Sequence, residues 1–392
     1  MSAAVKERSQ LVNSMQGIAI PSAVVDPKAF MSLTKRHISI EKTIGYDSSS
    51  GQSTEPVELK KADILSTVKV RFTGNLAVTG GTVDVGRRWP YDLITAKFNA
   101  NGASSLISCS GLKLKVRDVM KNGDLTDRGV TQTIGGVSRN QGTLARASES
   151  WGVGSGATAV AIGNYGIELE WDIPIAEDET NLLGAIFLQT STADLTLTLD
   201  FLPIAQIFSG AGSAKVTGTY QIITTKFSVP TSSGHIIVPD LSSFHSLTQT
   251  STPAIQLGDN EVRLVGQGAG KVLLRSFYQL WNGAGAAAAP LPMTTTNFGR
   301  QGYRYGNSEQ PDEFFDGNHM RFDQERRYNC DVGGLWGFGC HDFAHENTFR
   351  DALDMGTAAE LRYAIGVQSG VALATPRLEY VTETVFSAGS GA

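Results

Sequence analysis

The chain has 392 residues, a formal net charge of −5 and only 18% charged residues. That length exceeds what one small core needs and suits two domains, while the acidic balance, with no clustered Lys/Arg tail or stripe, excludes packaging of bare nucleic acid by phosphate neutralisation. Glycine at 43 positions, with abundant Ser and Thr, is the profile of many strands joined by turns.

The N-terminal Lys6, Glu7 and Arg8 lead into mixed polar sequence rather than the apolar core of a signal peptide. No apolar run approaches the ~20 residues needed to cross a bilayer; Ala284 to Leu291 is short and holds Pro290. Cys109, Cys330 and Cys340 make no disulfide framework. Synthesis in a reducing cytoplasm is the expectation.

From Ala4 to Ile18 the pattern is helical, with Leu11, Met15 and Ile18 near one face and Gly17 and Pro21 ending it. Strands are then predicted at Ile38 and Ile40, at Val68, Val70 and Phe72, at Ile94, Ala96 and Phe98, and at Leu112, Leu114 and Val116. Each set of apolar residues alternates with polar ones, the mark of a half-buried strand. From Asp118 to Asn164 the signal gives way to Gly, Ser, Thr and Asn, too long for a plain connection.

The clearest strand comes next. Ile167, Leu169, Trp171 and Ile173 alternate with Glu168, Glu170 and Asp172 until Pro174 removes a ladder donor. An acidic turn and the apolar Leu182 to Leu188 follow, and Leu195, Leu197, Leu199 and Phe201 return as a second alternating strand. Phe201 to Ala214 reads as the boundary between halves, with Pro203 and a Ser/Gly/Ala run.

Beyond it, Tyr220 to Phe227 opens a new strand set and Leu241 to Leu247 is predicted helical. Val262 to Leu264 and Lys271 to Trp281 are strands, the latter apolar on both faces. Asn282 to Arg327 is a second long excursion, unusually aromatic at Phe298, Tyr303, Tyr305, Phe314, Phe315 and Phe322. Asn347 to Met355 has helical spacing, and Leu361 to Val367 and Arg377 to Val385 are closing strands.

The candidates for chemistry fail one by one. Gly266-Gln-Gly-Ala-Gly-Lys271 lacks the first phosphate-loop glycine, at Val265, and the magnesium-binding hydroxyl, at Val272. No Gly-x-Ser-x-Gly elbow occurs. Cys330, Cys340, His341 and His345 are the right residue types for zinc at the wrong spacing. Neither Glu177-Asp-Glu179 nor Asp312, Glu313 and Asp316 has the ligand alternation of a calcium loop. Trp171, Trp281 and Trp336 suggest a sugar site, but Trp171 lies on the apolar phase of its strand. The expectation is a protein that is not an enzyme, with no metal, no cofactor and no catalytic residue.

Three stretches carry a family resemblance. The strand ending at Pro174 with Ile175-Ala176, Glu179-Thr-Asn-Leu182, Gly184-Ala185 and the returning strand resembles the end of the first barrel in double jelly-roll major capsid proteins of tailless, membrane-containing (tectivirus-like) phages. Ile236-Ile-Val-Pro-Asp-Leu-Ser-Ser-Phe-His-Ser-Leu247 resembles the opening of that family's second barrel. Arg362 to Val367 and Leu378 to Thr384 are similar to its closing strands.

The resemblance implies an all-β chain with an N-terminal helix and arm over 1–29, one jelly roll over 30–205 and a second over 206–392. It implies a structural protein of the virion that forms homotrimers, each a pseudo-hexameric block in an icosahedral shell. Minor capsid and vertex proteins and an internal membrane would be its further partners, with Leu11, Met15 and Ile18 as membrane-facing candidates. Aromatic residues are enriched in interface centres, so Phe298, Tyr303, Tyr305, Phe314, Phe315 and Phe322 are expected at the trimer contact. The rival classes are a secreted double jelly-roll glycan-binding protein or hydrolase, and a receptor-binding spike.

Overall fold

A computed structural model describes residues 23–49, 53–100, 105–122, 129–134, 137–140, 158–188, 195–252, 255–263, 270–305, 313–345, 348–349, 351–355 and 361–387. The first half runs through β1 (Arg36–Asp47), β2 (Val57–Glu58), β3 (Ile64–Thr79), β4 (Ile94–Asn99), β5 (Ile107–Ser110), helix α1 (Gly111–Asn122), β6 (Gly163–Pro174), β7 (Thr196–Phe201) and β8 (Ser213–Phe227). The second runs through β9 (Ser243–Thr252), β10 (Gly258–Arg263), β11 (Lys271–Asn282), β12 (Phe298–Tyr305), helix α2 (Gly317–Tyr328), β13 (Phe338–Asp342), β14 (Leu361–Val367) and β15 (Arg377–Ser387).

The order of strands defines each half. In the first, one sheet reads β1-β8-β3-β6 and the facing sheet β2-β7-β4-β5. In the second, the sheets read β9-β15-β11-β13 and β10-β14-β12. A bridge between Gln301 and Phe314 stands beside β12 where β5 stands beside β4. The same Greek-key order thus occurs twice, and each half is a jelly roll. The two are welded edge to edge. β5 runs parallel beside β9, with Ile107 opposite Leu247 and Ser108 opposite Thr248, which joins the halves in one 10-stranded sheet.

Alternation explains the first barrel. Ile167, Leu169, Trp171 and Ile173 on β6 are buried in a core with Val68, Val70 and Phe72 on β3 and Tyr220 on β8. The opposite phase is wet and paired by charge: Lys69 Nζ lies 3.0 Å from Glu170 and 3.1 Å from Asp172, and Arg71 meets Glu168. Trp171 donates its indole N–H to Tyr91 O at 3.0 Å and lies against Gly111. A Cβ at Gly111 would stand 2.4 Å from Trp171 Nε1, so only glycine starts α1 there.

Four expectations need correcting. Leu112 to Val116 is helical, because Leu112, Val116, Val119 and Met120 form a stripe at helical spacing that docks between the barrels. Leu241 to Leu247 is not helical: Asp240 Oδ1 accepts from Ser242 N at 3.0 Å, closing an Asx turn, and β9 starts at Ser243. Within Asn347 to Met355, Leu353–Asp354 is a strand paired with Val272 and Leu273 of β11. The division expected at 205/206 moves, because β8 pairs with β1 and β3 and carries the first barrel through Phe227. The helix expected at Ala4 to Ile18, including Leu11, Met15 and Ile18, and most of the loop Gly266 to Lys271 lie outside the described residues.

Candidate assembly surfaces and the junction between barrels

Helix α1 is buried from Gly111 to Arg117, although that stretch carries Lys113, Lys115 and Arg117, and Asp118 and Lys121 beyond it are partly exposed. Its basic residues at 113, 117 and 121 recur every four positions and so share one face. That face meets acids from the second barrel and from the turn after β6. Lys113 Nζ lies 2.5 Å from Glu379 Oε2, and Arg117 Nη2 lies 2.7 Å from Glu383 Oε1. Lys121 Nζ lies 2.6 Å from Glu177 Oε1. Arg88 adds contacts to Glu379 at 2.7 Å and Asp92 at 2.8 Å while its guanidinium sits 4.1 Å over the Trp281 ring.

Arg275 on β11 ties the rest together. It reaches Glu177 at 2.9 Å, Asp342 at 3.0 Å and Glu383 at 3.2 Å, and donates to Ala344 O at 3.0 Å. His245 on β9 bridges Pro174 O and Glu383 Oε1, each at 2.9 Å. Gly184, with φ +86°, lets the turn close onto His245: a Cβ there would meet the histidine Cβ at 2.5 Å. Burial alone would raise the pKa of Glu379, but Lys113 and Arg88 bring it down to about 2. Glu383 behaves alike, with Arg117 and Arg275 outweighing burial and holding it well below the usual carboxylate range. The cluster is a charge-paired weld, and at its Arg117, Lys121 and Glu177 end it borders an open cavity that Lys69, Asp172 and Asp178 also line.

The zinc candidates separate. Cys340 and His341 are neighbours on β13 and point to opposite sides. Cys340 enters the core shared with the first barrel. His341 sits in the second core among Tyr303, Phe314, Phe343 and Tyr363, with Nε2 3.0 Å from Tyr363 OH. His345 lies 3.7 Å from Asp342. Among the described residues no cluster of three or more His, Cys, Asp or Glu side chains is arranged to hold a metal ion.

The aromatic residues expected at a subunit contact divide likewise. Phe298, Tyr303 and Phe314 are buried in the core of their own second barrel. This corrects their assignment to the trimer contact: folding has already removed them from water, so they have little surface to offer another copy. Tyr305 ends β12. Phe322 is exposed at 65% on the outer side of α2, and Phe315, just ahead of the helix, at 76%. Sequence reading passed over a second exposed pair, Ile38 and Ile40 on β1, at 56% and 55%. Their alternation announced a strand; the strand's edge position, invisible in the sequence, decides which way they face.

Two jelly rolls following one another in one chain place it in the double jelly-roll class of fold. Solved structures with that architecture match nearly the whole chain. The crystal structure of the STIV MCP has a TM-score of 0.62 at 13% identity, covering 90% of this chain and 97% of that one. A chain in the atomic structure of Sulfolobus Turreted Icosahedral Virus gives 0.59 at 13%, covering 91% of each. The major capsid protein P2 from bacteriophage PM2 gives 0.51 at 9%, covering 90% of this chain and 98% of that one. No protein-family model and no curated protein matches.

Proposed function

We propose that this chain is a viral major capsid protein whose activity is self-association. The observation that carries the reading is the pairing of two equivalent jelly rolls in one chain, a fold that matches the STIV MCP and protein P2 over nine tenths of this chain. A repeated barrel gives one chain two equivalent positions around an axis, so a homotrimer presents six such positions in a pseudo-hexameric block. Closed symmetric assembly of this kind needs complementary patches on each copy, and Phe315 and Phe322 are exposed candidates for one of them. Blocks of this shape tile an icosahedral shell over an internal membrane, with minor and vertex proteins at its irregular positions. Residues 1–20 are proposed to face the particle interior, with Leu11, Met15 and Ile18 toward that membrane. The net charge of −5 supports a shell that does not itself bind the genome.

Native mass spectrometry of the purified chain at low concentration tests the trimer: three 41.8 kDa chains should travel together. Electron microscopy after concentration should show hexagonal blocks or shells. A single chain under every condition ends this reading.

A further inference from the structure

We propose that successive copies dock head to tail, with the outer side of α2 of one copy seated on the outer face of the β1-β8 sheet of the next. The inference rests on the self-association reading and specifies its surfaces. Its occupant is a second copy of this chain.

The chain already makes an equivalent contact with itself. β5 passes directly into α1, and the pair docks on the second barrel. β5 lies along the edge of β9. Helix α1 covers the outer face of the β9-β15-β11 sheet, where Glu379 and Glu383 of β15 receive Lys113 and Arg117. Leu247, Phe277, Trp281 and Val381 on that face share the first barrel's core. The helix and the sheet face of this contact each have a counterpart elsewhere in the chain, because the barrel repeats.

The counterpart of the β5–α1 unit is the Phe314 bridge followed by α2. The bridge occupies the fifth strand position of the second barrel, and α2 starts at Gly317. Its inner side is buried, with Met320 in the core of the second barrel and Tyr328 in the core shared with the first. Its outer side is bare. Phe315, the most exposed large apolar side chain among the described residues, stacks on His319 at 5.6 Å and 17°, and Phe322 follows. His319 and Phe322 share one side at helical spacing, and Phe315, just ahead of the Asp316 cap, joins that side by its stacking on His319.

The counterpart of the covered β9-β15-β11 face is the outer face of β1-β8-β3. Ile40 pairs with Ile223, and Ile223 pairs with Lys69, which lies on the opposite phase from the buried Val68 and Val70. Ile38 pairs with Thr225 in the same phase. Both isoleucines therefore point away from the barrel, and β1 has no strand on its far side among the described residues. One helix face and one sheet face are left uncovered in each copy. Inside the chain, the equivalent faces are docked on each other. Apolar residues sit on both, which is what a contact between copies requires. The contact is heterologous, so it can propagate into a closed ring.

The test uses Ile40→Asp and Phe322→Asp in the full chain, read by native mass spectrometry beside the unsubstituted protein. Both side chains are exposed, so thermal unfolding of the single chain should be unchanged; if either variant misfolds, Ile38→Asp or Phe315→Asp replaces it. Each variant alone should lose the multi-chain species. Mixed together they should form a two-chain species, because each retains the face that the other lacks. If both variants assemble like the unsubstituted chain, this docking is wrong while self-association stands. If the variants are single chains and the mixture stays so, the head-to-tail pairing is overturned. If the unsubstituted chain never associates, the capsid reading falls and this inference with it.

Discussion

Glu383 accepts from Arg117, Arg275 and His245 at one carboxylate oxygen, fully out of water. Removing one member of such a group leaves the others charged and unpaired, which costs about 3–5 kcal/mol. Glu383→Gln should therefore lower stability by that amount, measured by chemical unfolding; a change under ~1 kcal/mol would mean that water reaches the cluster. His341 gives a second residue-level test. Burial, with the Arg327 charge behind it, pushes its pKa from 6.5 down to about 3. The unfolded chain binds this proton near pH 6.5 and the folded chain only near pH 3. Its contribution to stability is therefore complete above pH 6.5 and declines as pH falls through that window, by about 2 kcal/mol at pH 5. His341→Gln should flatten the unfolding free energy between pH 7 and 5 relative to the parent, whatever its effect at pH 7. An unchanged slope would show that the imidazole is protonated or hydrated in the folded chain.

At the scale of elements, α1 and β6 lock each other through Trp171 and Gly111. Trp171→Ala should cost about 3–5 kcal/mol by leaving a cavity and should loosen the start of α1, seen as faster amide exchange from Gly111 to Leu114. A soluble variant of normal stability would exclude this locking role. β6 was legible from sequence because its two faces meet different surroundings, core and water, so apolar and charged residues alternate. Helix α1 was not, because it is buried on both faces from Gly111 to Arg117: the Leu-Lys-Leu-Lys-Val-Arg run satisfies a period of two locally. The period of four in Lys113, Arg117 and Lys121 was the available signal, and it acquires meaning only once Glu379 and Glu383 are opposite. Those acids alternate with Leu378 and Tyr380, a pattern that a half-wet strand would also show, whereas docking buries both faces of β15. The aromatic residues of 298–322 show the same limit, since composition cannot distinguish a residue that fills its own barrel from one that waits for a partner.

At the scale of the molecule, the question is whether two barrels behave as two domains. Ordinary domains in one chain meet through modest polar contacts and move independently. Here a single 10-stranded sheet crosses the boundary, and the cross-barrel ion pairs are buried. The barrels should therefore unfold together near neutral pH, giving one calorimetric transition whose enthalpy equals the van't Hoff value. Acid should separate them. The depressed carboxyl of Glu379 contributes fully above its ordinary pKa of 4.5 and loses that contribution as pH falls toward about 2, and the lowering of Glu383 acts in the same direction. Protonation there releases Lys113, Arg88, Arg117 and Arg275 from their partners and leaves only the β5–β9 pairing and the shared apolar contact of Leu247, Phe277, Trp281 and Val381 across the boundary. Calorimetry should accordingly show one transition at pH 7 and two as pH is lowered below 4.5. Two transitions already present at pH 7 would mean that the weld contributes little, and that the barrels hold their relative position only after copies assemble around them.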